Sequence, residues 1–62
     1  MAKFKIGDRV KNLEDDYYVK LGEIGTIDED DDCPFVIWDR GERFAQEENL
    51  LQLVAEAQPI PS

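Results

Sequence analysis

Apolar residues fall along this chain in short bursts. Gly7-Asp8, Gly22, Gly25, Asp30-Asp31-Asp32, Pro34 and Arg40-Gly41 cut the bursts apart, and no stripe at helical spacing survives the breaks. The pieces are rich in Val, Ile, Tyr, Phe and Trp, the composition of half-buried strands. The pattern predicts a first strand over Asp8–Leu13, with Ile6 and Val10 on one face, then a long loop over Glu14–Leu21. A second strand follows from Glu23 to Glu29. Its anchors Ile24 and Ile27 stand three apart, which breaks strict alternation, so a bulge near Gly25 is expected to turn both inward. The third strand, Phe35–Asp39, is apolar on both faces and is expected to be central and the most buried. Asp39-Arg40-Gly41 reads as a hairpin turn with Gly41 at positive φ. Glu42–Ala45 makes the fourth strand, Gln46–Leu50 a helical or 3₁₀ turn, and Leu51–Val54 the fifth strand.

Five short strands in about 50 residues predict an all-β fold, a small closed barrel over residues 1–54. Closure is expected because an open sheet of this size leaves edges that pair with other chains. Residues 55–62, with Pro59 and Pro61, read as a flexible tail. The expected core is Val10, Ile24, Ile27, Val36 or Ile37, Phe44, and Leu51 or Leu53. The longest apolar run, Phe35–Trp38, is far shorter than the roughly 20 residues of a membrane helix. No apolar stretch follows Met1-Ala2-Lys3-Phe4-Lys5, so no secretory signal is expected. A cytoplasmic location follows, compatible with peripheral attachment to a membrane complex.

Composition narrows the chemistry. The 62 residues include one Cys, Cys33, and no His. One Cys closes no intrachain disulfide, a zinc site lacks its ligands, and the usual general base near neutral pH is missing. Cys33 follows five carboxylates, which disfavour a thiolate, so it reads as a small filler at the start of a strand. Asp28, Asp30 and Asp32 alternate like the start of a calcium loop. The pattern then fails, with Cys33 where glycine is required, Pro34 next, and Asp39 in the place of the closing Glu. No metal or cofactor is expected. A barrel of about 50 residues also lacks room for a ligand pocket of ~300 Å³, so no enzyme is expected.

Charge points to a partner. Fifteen acidic residues against seven basic ones give a net charge of −8. Residues 1–11, with Lys3, Lys5, Arg9 and Lys11, sum to +3, and the remainder sums to −11. Such a molecule is repelled by nucleic acid at low salt and is attracted to a basic protein surface. The candidate contact residues are Asp15, Asp16, Tyr17 and Tyr18 in the first loop, Asp30, Asp31 and Asp32 in the acidic run, and Trp38 at the end of the third strand. Aromatic side chains give large apolar contact with a polar tip, and carboxylates steer encounter.

Several segments carry a family likeness: Ile6-Gly7-Asp8-Arg9-Val10, Lys20-Leu21-Gly22-Glu23-Ile24-Gly25-Thr26-Ile27, Val36-Ile37-Trp38-Asp39 and Glu48-Asn49-Leu50. They resemble SH3-like barrels of the KOW and Mib/Herc2 kinds over residues 5–54. Within that group, Lys20–Ile27 is similar to PetP, Asp15-Asp16-Tyr17-Tyr18 to NdhS, and Pro34-Phe35-Val36-Ile37 to PsaE, all small subunits of photosynthetic electron transport. The resemblance implies a non-enzymatic accessory or regulatory subunit that docks on a larger complex. In that family a shallow aromatic groove lies between the first loop and the adjoining strands. The acidic balance departs from the basic surfaces of NdhS and PsaE. The alternative is an acidic nucleic-acid mimic, or a phage-encoded regulator, that occupies the basic groove of a DNA-binding protein.

Overall fold

The computed structural model describes residues 3–29 and 31–56. Five strands form one antiparallel sheet: β1 (Arg9–Asn12), β2 (Ile24–Ile27), β3 (Phe35–Trp38), β4 (Arg43–Ala45) and β5 (Leu51–Ala55). A 3₁₀ turn, Glu48–Leu50, leads into β5. The strand order is β4-β3-β2-β1-β5. The first four strands are a meander, and the 3₁₀ turn carries the chain across to the far side of β1.

The sheet is open, contrary to the expected closed barrel. Closure needs a ladder between β4 and β5, and a three-residue β4 offers too little strand for one. A side-chain bridge spans part of that gap: Gln46, just past β4, donates from Nε2 to Asn12 Oδ1 of β1 at 2.8 Å. The centre of the sheet is accordingly β2 rather than β3.

Register decides which residues are inside. Val10 pairs with Gly25, Gly25 with Trp38, and Val36 with Phe44, so these side chains share one face. Val10, Ile27, Val36, Trp38 and Leu51 are buried there, and Phe44 packs against them half-buried. Phe4 and Val19, from the segments flanking β1, complete the core. The strand is buried on one face only. Ile37 points outward and is 44% exposed, and Phe35 is half-buried under the Arg43 guanidinium, 4.0 Å from its ring centroid.

The expected bulge near Gly25 does not form. Pairing runs straight through Gly25 on both sides, and Gly25 itself takes the inward position. The Trp38 ring fills the space that a side chain there would need: a Cβ on Gly25 would lie 2.5 Å from Val36 Cγ1 and 2.9 Å from Trp38 Cε3. Ile24 therefore faces outward, half-buried, and only Ile27 enters the core. The register shift falls instead between Arg9 and Val10, on the β5 side of β1.

Other expectations are corrected by the same geometry. Ile6 is exposed because the chain turns at Lys5–Asp8, with Gly7 at φ 96°, so strand alternation does not extend back to it. Leu51 is buried and Leu53 is 43% exposed on the outermost strand. Cys33 is exposed, and Pro34 is the residue that fills the start of β3. The Asp39–Gly41 turn forms as expected. Gly41 has φ 105° and donates to Trp38 O, and Trp38 N donates to Glu42 O, each at 2.8 Å. The tail reading over 55–62 begins on Ala55, which ends β5, and 57–62 lie outside the described residues.

Candidate functional site

The first loop is built around one buried amide. Asn12 shares the inward parity of Val10 and is fully buried. Its Nδ2 lies within hydrogen-bond reach of the carbonyls of Glu14, Val19 (3.2 Å) and Lys20 (3.0 Å), so its two N–H groups serve three acceptors, one of them shared. Its Oδ1 accepts from Gln46, whose own Oε1 accepts from Glu47 N at 3.2 Å. Burying these amides is tolerable because their donors and acceptors are used within the network. The network ties the loop, the end of β4 and the approach to the 3₁₀ turn together.

Above this clip the loop makes a narrow tip. Asp16 N donates to Val19 O at 2.8 Å, which leaves Tyr17 and Tyr18 between them. The buried Val19 anchors the tip, and the tyrosines face out, Tyr17 at 86% and Tyr18 at 56% exposure. The Tyr18 ring lies 5.0 Å from Phe44, and Tyr17 meets Tyr18 edge-on at 4.9 Å. Three aromatic rings thus step from the core outward. Spacings of this kind are those of favourable ring pairs. Asp15 and Asp16 directly precede Tyr17 in the chain and are exposed, and Asp16 Oδ1 accepts from Tyr17 N at 2.5 Å.

The acidic run lies beside the 3₁₀ turn. Asp31 and Asp32 are exposed, and Glu48 N donates to Asp32 O at 3.4 Å. Asp32, Cys33, Glu47, Glu48 and Asn49 line one open depression. Asp30 lies outside the described residues. Among the described candidates Trp38 alone cannot meet a partner here, because its side chain is completely buried. An aromatic surface is present, and the ring that supports Tyr18 in it is Phe44, not Trp38. Among the described residues no group of His, Cys, Asp and Glu is placed to hold a metal ion.

The charged pairs explain why the surface stays acidic. All three arginines are engaged by carboxylates. Arg9 binds Asp39 through two bonds of 2.8 and 2.7 Å and also reaches Thr26. Arg40 meets Glu23 and Glu42, and Arg43 meets Asp28 and Glu29. The hydrogen bond from Arg9 holds the Asp39 carboxyl below its ordinary range and raises the Arg9 guanidinium. The Asp28 hydrogen bond raises Arg43 in the same way. Among the described residues, Glu14, Asp15, Asp16, Asp31, Asp32 and Glu47 make no such ion pair. The clip residues Asn12 and Gln46 were not among the sequence candidates. Their signal was a polar residue at the inward parity of β1.

No protein-family model, curated protein or solved structure matches this chain.

Proposed function

We propose that this protein is a non-enzymatic docking module that binds a basic surface on a larger protein. The observation that carries this reading is the ring series Phe44–Tyr18–Tyr17, with Tyr17 86% exposed and preceded in the chain by Asp15 and Asp16, which make no ion pair among the described residues. Exposed aromatics on a loop fixed to the core supply contact area at little entropic cost, because the clip has already ordered the backbone beneath them. Asp15, Asp16, Asp31 and Asp32 would speed encounter and make it salt-dependent.

The strand order, with β5 beside β1 and a 3₁₀ turn before it, supports an SH3-like affinity with the barrel seam left open. On that affinity the partner class is a multisubunit assembly of the photosynthetic electron-transport kind, with this chain as an accessory subunit. A second reading, the acidic decoy, is favoured by one observation. Every arginine is neutralised within the chain, which leaves the carboxylates unbalanced. A decoy would fill a DNA-binding groove and be displaced by duplex DNA, whereas a docked subunit would not.

Surface-immobilised partner binding separates the two contributions. Replacing Asp31 and Asp32 by Asn should slow association and flatten its dependence on salt. Replacing Tyr17 and Tyr18 by Ala should mainly speed dissociation, by about tenfold or more. If both variants bind with wild-type kinetics, the reading is wrong.

A further inference from the structure

We infer that the free edge of β5 is a second docking site, one that takes an extended acidic segment of another protein as an added strand. The two edges of the sheet are guarded very differently. β4 is three residues long, and Arg43, held by Asp28 and Glu29, stands on it. Short length and charge are the usual protections of an edge. β5 has neither. It is five residues long and lies within Asn49–Ala55, the longest stretch without a charged residue in the chain. Leu53 and Val54 are 43% and 54% exposed on it.

The backbone is presented as a template. Leu13 N donates to Leu50 O, so the ladder's alternation turns Gln52 toward its partner Lys11 and turns the Leu53 N–H and C=O away from β1. Leu51 N is already used, since it donates to Glu48 O. Among the described residues nothing pairs with the outer side of β5.

Charge selects the occupant. Lys3 and Lys5 line the depression that also holds Leu53, and Lys11 sits opposite Gln52 on the other face of the sheet. Among the described residues none of these lysines makes an ion pair, while every arginine does. The same depression contains Asp8, which is buried and accepts from Lys5 N, and the exposed Glu56. An added strand that alternates aliphatic and acidic residues has its carboxylates on one face and its apolar groups on the other. With the carboxylates on the Leu53 face they come within reach of Lys3 and Lys5, and the apolar groups fall on the face of Gln52 and Lys11. A second copy of this chain fits less well. It would bring an uncharged strand to these lysines and leave them without a carboxylate partner from the added strand.

The test is a titration of the full chain, uniformly ¹⁵N-labelled, with the blocked peptide acetyl-(Val-Glu)₃-Val-amide, followed by amide shifts. The expected result is saturable shifts over Leu51–Ala55 and at Lys3, Lys5 and Lys11. The matching peptide with Lys in place of Glu should give none. Leu53→Pro removes the outward N–H without touching the ladder to β1, and should abolish binding. The surface variant K3Q/K5Q/K11Q, which leaves all backbone groups in place, should weaken binding by about tenfold. The inference is overturned if the acidic peptide gives no shifts, if both peptides bind alike, or if the shifts centre on Tyr17 and Tyr18. It is also overturned if the chain alone forms a dimer whose interface is β5.

Discussion

One small residue, Gly25, carries more of the fold than its size suggests. Gly25 is needed because Trp38 and Val36 occupy the place of its side chain, and the Ile37 carbonyl stands 3.0 Å from where a Cβ would be. A backbone atom cannot rotate away as a flexible side chain could. Gly25→Ala should therefore destabilise the protein by about 1–3 kcal/mol or more in chemical denaturation, the cost of forcing atoms into a filled core. A loss of under about 0.5 kcal/mol would mean that the Trp38 ring does not rest on Gly25. The sequence suggests a broken alternation at Gly25, because Ile24 and Ile27 cannot both point inward from a regular strand. The strand is regular, with Gly25 and Ile27 inward, and the sequence does not show that a ring from the neighbouring strand takes the place of a side chain at Gly25. That contact is set by register, and register depends on residues 13 positions away.

At the scale of elements, the β hairpin of β3 and β4 was legible almost to the residue, because Asp39-Arg40-Gly41 specifies its own turn. The 3₁₀ turn before β5 was equally clear. The first loop was not, since its shape depends on the buried Asn12 side chain rather than on local turn chemistry. Asn12→Leu keeps approximate size but takes the side-chain donor away from the Glu14 carbonyl and the acceptor away from the Gln46 amide, while the Val19 and Lys20 carbonyls lose one of their two donors and keep Asp16 N and Glu23 N. Buried polar groups left without partners cost about 1–3 kcal/mol each, and backbone adjustment or water recovers part of this. The variant should lose about 2–4 kcal/mol of stability. At temperatures where it remains folded, exchange of the Val19 and Lys20 amides should speed up more than that of the β2 and β3 amides. Uniform acceleration across the sheet would show that Asn12 stabilises the core without holding the loop.

For the molecule as a whole, the all-β class followed from short strand-forming segments, but closure did not follow. The argument that a small sheet must hide its edges is sound as far as it goes. Here one edge is blunted by length and charge, and the other is left open. The surface divides accordingly. The tyrosine tip stands next to Asp15 and Asp16, the acidic run lies beside the 3₁₀ turn, and β5 carries the uncharged edge near Lys3 and Lys5. At least one exposed tyrosine is expected from adjacency in a loop, and both are exposed, whereas Trp38, an aromatic at a strand end that reads alike inside or out, lies in the core. The central claim is that the Tyr17–Tyr18 tip meets a basic protein surface. It is tested most directly by site-specific photocrosslinking. Benzoyl-phenylalanine is placed at position 17 of the full chain and irradiated in an extract of the native cell. The predicted result is a discrete adduct with a protein whose crosslinked segment is rich in Lys and Arg, suppressed by Asp15→Asn with Asp16→Asn and by high salt. Adducts that form equally in the neutralised variant, on segments without basic residues, would contradict it.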